Sequence, residues 1–326
     1  MSFWNGKKVL ATGGAGFIGS HLVEELVKDG AKVRVADNLE RGKMKNLDAV
    51  KNDIEMMETD LRDINNCMKA CEGMEVVFNL AAKVTGIEYN RTHQADMFEN
   101  NMLLQQLPIQ AAHKQGVPRF MQLSTACIYP HDSKVPTPES EGERGEPEPT
   151  NAGYGWAKRM GEKIARWYAA ETSMEVGIVR PFNAYGPRDY YDTATSHVVP
   201  ALIKKVLDGM NPVEVWGSGN QSRVFVHAVD FAIGLKLLGE KYAVPEPVNL
   251  GHDDMVSMKQ LLELIQELTG VKNPPFFNTD MPEGYPERAA DTKKLKEVTG
   301  GFVPSITLKQ GVTEMIEWYK SNPVPD

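Results

Sequence analysis

Tyr154 and Lys158 stand four residues apart at the start of a stretch with helical patterning, a spacing that sets both on one helix face. An ammonium held beside a phenol stabilises the phenolate and draws a pKa of about 10 toward the working range of a general base. Upstream lies Leu123-Ser124-Thr125-Ala126-Cys127-Ile128-Tyr129-Pro130, which begins at the end of an expected strand. Active groups in doubly wound sheets gather at the carboxyl ends of strands, and two-residue alternation puts Thr125 and Cys127 on the same face. A hydroxyl and a thiol are therefore expected to look into one crevice; the bland alternative for Cys127 is a small buried side chain. His197 precedes an expected helix from about Val199 to Leu207. The positive end of that helix would favour neutral imidazole there. A thiol with an unperturbed pKa of about 8.5 and an imidazole of about 6.5 can each exchange protons near neutrality.

The elements that must position these groups follow a regular rhythm. From Lys7 to about Arg180, short β-branched or apolar runs alternate with longer helical patterns, which predicts an α/β, doubly wound parallel sheet of the Rossmann type. Strands are expected around Val9, Val33, Ile54, Val76, Phe120 and Val176, and helices over Phe17 to Lys28, Asp96 to Lys114 and Tyr154 to Ala170, the last capped by Thr150 or Asn151. Thr12-Gly13-Gly14-Ala15-Gly16-Phe17-Ile18-Gly19 joins the first strand to the first helix, so Gly14, Gly16 and Gly19 satisfy the dinucleotide fingerprint in its required setting. Asp37 ends the second strand, where a carboxylate accepts hydrogen bonds from an adenosine ribose and repels a 2′-phosphate; NAD is favoured over NADP. Arg34 and Arg41 lie nearby, the latter most simply a solvated loop charge. Asp60-Leu61 would flank the adenine, unless Asp60 caps the next helix.

After Pro181 the pattern loosens. One domain is expected to comprise residues 1–180 plus about 224–250, and a smaller α/β substrate domain about 181–223 plus 251–326. Ser257 with Gln260, and Thr307 with Gln310, have the spacing of capping boxes. The segment from Pro130 to Asn151 holds five prolines and five glutamates without apolar periodicity, and reads as a functional lid or a solvated acidic loop.

Lys and Arg total 36 against 44 Asp and Glu, a formal charge of -8 with no basic block, which argues against nucleic acid as a partner. No run of about 18 apolar residues would span a bilayer, and the first residues lack a hydrophobic signal core, so no membrane partner and a cytoplasmic address are expected. The three cysteines, Cys67, Cys71 and Cys127, read as thiols, and no metal site is expected.

The glycine run, Asp37, Asn79-Leu80-Ala81-Ala82, Ser124-Thr125, Tyr154-Gly155-Trp156-Ala157-Lys158 and Arg180-Pro181-Phe182-Asn183-Ala184-Tyr185-Gly186-Pro187 together resemble the extended short-chain dehydrogenase/reductases, a superfamily of nucleotide-sugar epimerases and dehydratases. Within it, Ala81-Ala82-Lys83-Val84-Thr85-Gly86-Ile87 and Ser196-His197-Val198-Val199-Pro200 resemble the GDP-L-fucose synthases, while Asp37 and Cys127 are also similar to the GDP-mannose 3,5-epimerases. The resemblance implies that Thr125 bonds the sugar oxygen at C4, that Tyr154 takes its proton, and that Lys158 binds the nicotinamide ribose. It implies an acid/base pair, Cys127 and His197, that inverts C3 and C5 of a transient 4-keto sugar. Gly13, Phe17, Ile18, Asn38, Ala81, Ala82 and Lys83 would join the cofactor site; Asn183, Arg223 and Arg288 would hold the nucleotide-sugar substrate, the arginines gripping its diphosphate. A homodimer formed through two helices of the first domain is implied as well. An Asp-Glu pair follows the hydroxyl residue in 4,6-dehydratases, whereas Ala126-Cys127 stands here. A GDP-hexose epimerase is expected; a 3,5-epimerase/4-reductase, a simple 4-epimerase and a non-catalytic NAD-binding regulator stay open.

Overall fold

The computed structural model describes residues 2–192, 196–281 and 283–322. Its first half runs β1 (Lys8–Thr12), α1 (Phe17–Lys28), β2 (Lys32–Asp37), β3 (Ile54–Glu58), α2 (Ile64–Cys71), β4 (Val76–Asn79), α3 (Ile87–Thr92), α4 (Gln94–Lys114), β5 (Arg119–Leu123), α5 (Ala152–Glu171) and β6 (Glu175–Pro181). Next come β7 (Ala184–Tyr185), α6 (Val198–Leu207), β8 (Val213–Trp216), β9 (Ser222–Val224), β10 (Val226–His227), α7 (Ala228–Lys241) and β11 (Pro247–Leu250). The chain ends with β12 (Met255–Ser257), α8 (Met258–Thr269), β13 (Pro275–Asn278), β14 (Glu287–Arg288), α9 (Lys293–Thr299) and α10 (Leu308–Ser321).

Seven strands form one parallel sheet in the order β11-β6-β5-β4-β1-β2-β3. This is the doubly wound α/β sheet that the alternating pattern predicts. Successive side chains leave opposite faces, so Val9 and Ala11 of β1 pack with Leu22, Leu26, Phe231 and Leu235 of α1 and α7, while Leu10 packs with Ile109 and Ala165 of α4 and α5. The strand order reverses between β1 and β4, and a crevice opens at their carboxyl ends. There the Thr12 hydroxyl donates to Asn79 Oδ1 at 2.8 Å.

A second apolar core lies beyond this sheet. Val199, Leu202, Ile203 and Val206 of α6 meet Leu261, Leu262 and Ile265 of α8, and Val312, Met315 and Ile316 of α10. Three small sheets border it: β10 with β7, β12-β9-β14, and β13 with β8. Ser257/Gln260 and Thr307/Gln310 form complete capping boxes. No helix among the described residues is long and apolar enough to cross a membrane.

The segment from Pro130 to Asn151 exposes many of its side chains, yet two buried arginines fasten its backbone to the domain. Arg159 donates to the carbonyls of Gly145 and Ile128, and Arg180 to that of Glu139. Glu139 in turn accepts the Asn249 amide, and Thr137 bridges to Ala290. Only Glu148, Thr150 and Asn151 at its end reach the crevice. The helix that follows is not capped by Thr150 or Asn151. Glu148 takes the amides of both, and Gln94 of α4 accepts the Gly153 amide at 2.5 Å.

Arg180 and Glu162 form a fork at 2.8 and 2.7 Å with side chains 0% and 3% exposed. Burial opposes the Arg180 charge, and Glu162 more than restores it, so the guanidinium stays firmly protonated. Removing one partner of such a pair leaves an uncompensated buried charge. Glu162→Ala is expected to lower unfolding free energy by ~3–5 kcal/mol, and joint replacement by Glu162→Leu with Arg180→Met by much less. Urea denaturation of both variants checks this; equal losses would refute it.

Candidate active site

A cleft of about 690 Å³ follows the carboxyl edge of the sheet and continues between β5, α6 and β14. Every residue expected from the sequence to bind cofactor or substrate or to take part in the chemistry lines it, except Gly14. Gly14 instead faces the core, where a Cβ would sit 2.8 Å from Val35.

The first end of the cleft is a cradle of backbone. A Cβ on Gly19 would fall 2.2 Å from the Gly13 carbonyl oxygen, so only glycine lets α1 approach the turn this closely. No side chain caps α1 at Gly16, which leaves its first amides turned toward the cleft. Asp37 accepts the amides of Ala15 at 3.0 Å and Leu39 at 2.9 Å, and burial holds its carboxyl above the ordinary range. Arg34 forks onto Glu55 and the carbonyls that end α2. Arg41 is not a solvated loop charge: it reaches across the cleft to the Val84 carbonyl and stacks 4.5 Å over the Tyr190 ring. Asp60 is gripped by Arg62, while Asp63 caps α2. Asn38 exchanges hydrogen bonds with Glu40, and Lys83 pairs with Asp96 at 2.7 Å. Phe17, Ile18, Leu61, Ala81 and Ala82 complete the walls.

Midway along the cleft, Thr125, Cys127, Tyr154 and Lys158 converge. Strand alternation is not the reason that Thr125 and Cys127 share a face. β5 ends at Leu123, and Ala126–Ile128 is a 3₁₀ turn whose Cys127 amide is capped by the Thr125 hydroxyl at 3.2 Å. That hydroxyl also lies within hydrogen-bonding reach of the Tyr154 phenol. Lys158 donates to the Leu123 carbonyl at 2.8 Å and sits 5.8 Å from the centre of the Tyr154 ring. Burial lowers its ammonium from the ordinary 10.5 to about 7. The phenol is accordingly not drawn down: burial, and then the neighbouring Cys127, push it above its usual range, against the Thr125 hydrogen bond.

His197 lines the same cleft. Its Nδ1 lies 3.1 Å from both Asp189 carboxylate oxygens, and Asp189 raises its pKa against the opposing charge of Arg41. The neutral imidazole expected from the helix end is thereby overturned; a buried carboxylate outweighs a partial helix charge. At the far end, parallel β9 and β14 set Arg223 beside Arg288. Burial, and then Arg288, lower Arg223 to about 10. Arg288 stacks 4.8 Å over Tyr285 and reaches the Cys127 thiol, while its buried Nη2 has no hydrogen-bond partner among the described residues. Asn183 donates to the Val224 carbonyl at 2.9 Å.

Residues 9–251 match the NAD dependent epimerase/dehydratase family. The chain belongs to this family of enzymes. It is 31% identical over 319 residues to GDP-L-fucose synthase 1 of Arabidopsis thaliana, covering 97% of this chain and 94% of that one. It is also 31% identical over 316 residues to GDP-mannose 3,5-epimerase of the same plant, covering 96% and 82%. The crystal structure of UDP-glucose 4-epimerase from Thermotoga maritima with UDP-glucose superposes with a TM-score of 0.87 at 29% identity, covering 96% of this chain and 99% of that one.

Against this family background, the sequence reading missed Asp189, Tyr190, Lys205, Glu214, Trp216 and Tyr285, all of which line the cleft. Glu214 and Trp216 alternate on β8, a two-residue signal that was readable; Asp189 meets His197 only through a turn. Among the described residues no group of three His, Cys, Asp or Glu side chains is arranged to hold a metal.

The Lys158 shift has a testable sign. Between about pH 7 and 10.5 the unfolded chain holds a proton on Lys158 that the folded protein lacks. Stability should therefore rise with pH across that window, by at most ~1.4 kcal/mol per unit, and Lys158→Met should lack this rise. Urea midpoints of both proteins at several pH values measure it; parallel profiles would refute it.

Proposed function

We propose that the protein is an NAD-dependent epimerase of a nucleotide-linked hexose, GDP-linked, that works through a transient 4-keto sugar. The observation that carries this reading is that one cleft is lined by Cys127 and His197 together with Thr125, Tyr154 and Lys158. The names of the GDP-sugar relatives support the base and the diphosphate. NAD is favoured because Asp37 would repel a 2′-phosphate, and because Arg34, Arg41 and Arg62 are each engaged elsewhere.

The backbone of Gly13 to Gly19 would bind the cofactor pyrophosphate, and Asp37 the adenosine ribose. When bound, the nicotinamide supplies a hydride acceptor for sugar C4 and a donor for its return. Thr125 orients the C4 hydroxyl, and Tyr154 removes its proton. The resulting ketone acidifies the hydrogens on C3 and C5. Inversion needs proton removal from one face and return on the other. Cys127, with the Arg288 guanidinium against its sulfur, suits the base; His197, whose protonated form Asp189 favours, suits the acid. Arg223 and Arg288 are like charges side by side, with one buried donor unmet, an arrangement that a dianionic diphosphate relieves. The exposed apolar side chains of Phe98 and Leu103 on α4, and Trp167 on α5, favour a second copy of the chain as partner.

Incubation with GDP-hexoses in deuterated water should give label at C3 or C5 with no net change in nicotinamide absorbance. Label confined to neither carbon, with C4 inverted, would leave a 4-epimerase; steady consumption of reduced nicotinamide by a 4-keto-6-deoxy sugar would favour the reductase. Tyr154→Phe is expected to lower turnover by about 10²-fold or more while NAD binding persists in fluorescence titration.

A further inference from the structure

The turn between β7 and α6 carries a carboxylate that the reaction chemistry does not otherwise use. Asp189 is 5% exposed, yet it lies at the lip of the cleft beside a histidine whose side chain is 53% exposed. Both its oxygens stand 3.1 Å from His197 Nδ1, and Oδ1 also accepts the Tyr190 amide at 2.8 Å. A carboxylate beside one ring nitrogen decides which nitrogen carries the proton and which is left for the substrate.

The turn that aims Asp189 is itself pinned to the cofactor-side helix. Gly186 has φ +148° and Arg188 φ +72°, so the backbone is held in conformations that ordinary residues avoid. Arg188 donates to Glu24 of α1 at 2.6 Å, and His21 of the same helix donates from Nε2 to the Pro187 carbonyl at 3.1 Å. Burial, and then the charge of Arg188, lower His21 to about 4, so it serves as a neutral donor at any working pH. The backbone immediately before Asp189 is thereby fastened to α1.

We propose that Asp189 is a positioning residue for His197: it accepts Nδ1–H, fixes the ring, and presents Nε2 to the sugar as the proton-exchanging atom. The proposal rests on the epimerase reading for the role of the ring, though not for the pairing itself. Two charged groups act on the imidazole, Asp189 from the turn before it and Arg41 from the loop after β2, and they oppose each other. Asp189 prevails, which keeps the ring protonated at higher pH than an isolated histidine. Loss of the carboxylate therefore moves the alkaline limb of proton exchange to lower pH.

Nitrogen-15 NMR of the whole enzyme with labelled histidine tests the pairing directly. Wild-type His197, assigned by its loss in His197→Gln, should show Nδ1 protonated in the neutral form and a midpoint above the ordinary histidine range. Asp189→Asn should lower that midpoint, shift the alkaline limb of C3/C5 deuterium exchange the same way, and slow exchange at neutral pH about tenfold. Asp189→Glu should restore part of both. An Nε2-protonated wild-type ring, or a midpoint unmoved by Asp189→Asn, would overturn the proposal even if the variant folds poorly, since the first reading needs no variant. Absence of exchange in the wild type would instead sink the epimerase reading, with the NMR result still deciding the pairing.

Discussion

The buried fork between Arg180 and Glu162 is the constraint on which the cleft depends. Glu162 projects from α5 and Arg180 from β6, and the same carboxylate accepts the Ser124 hydroxyl at 2.5 Å. Arg180 continues to the Tyr129 hydroxyl, which donates to Asn249 on β11. One ion pair thus ties the turn that carries Thr125 and Cys127 to the helix that carries Tyr154 and Lys158. A charge pair this deep gains little stability over an apolar one, but it has directions that an apolar pair lacks. It fixes where the end of β5 stops and where α5 begins relative to it. Gly142 is part of the same constraint, since a Cβ there would lie 2.4 Å from the Arg180 guanidinium.

Around that frame the cleft is divided electrostatically. Cys127 has Arg288 for a neighbour, and His197 has Asp189. Two candidate proton-exchanging groups in one cleft thus have neighbours of opposite charge. In the same cleft Lys158, 1% exposed, bonds a carbonyl and has no carboxylate partner among the described residues. Its ammonium is consequently weak, and the phenol above it remains protonated in the protein alone. A bound anionic cofactor would supply the missing charge, so the general base is completed by the ligand and not by the helix spacing.

Much of this was legible in the residues because it is local. The boundaries Phe17–Lys28 follow from a glycine turn and an apolar stripe, and both capping boxes from a hydroxyl three residues before a glutamine. Tyr154, Lys158, Thr125 and Cys127 were found because strand ends and helix spacing bring them together over short stretches. What was not legible depends on distant contacts. Arg41 reads as a loop charge until Val84 and Tyr190 are placed beside it, and the acidic segment before α5 reads as a lid until Arg159 and Arg180 are seen beneath it. His197 was misjudged for the same reason: a helix end is visible in sequence, a carboxylate brought in by a turn is not.

The formal charge of -8 poses a last question, since the proposed ligands are themselves anionic diphosphates. Long-range steering would work against them, so affinity must come from contacts a few ångströms long, where burial strengthens each charge. The two ends of the cleft meet that need differently. At α1 the cation is no side chain at all but a set of uncapped amides brought close by Gly19, which costs nothing in desolvation when the site is empty. At β9 and β14 it is two guanidiniums side by side, where burial, and then Arg288, lower Arg223 to about 10 and one buried donor of Arg288 has no partner among the described residues. The second site, unlike the first, keeps two like charges together until an anion offsets them. On the proposed reading a diphosphate would meet the free donor of Arg288 while the same guanidinium lies against the Cys127 thiol, so one side chain would join the substrate end of the cleft to its centre.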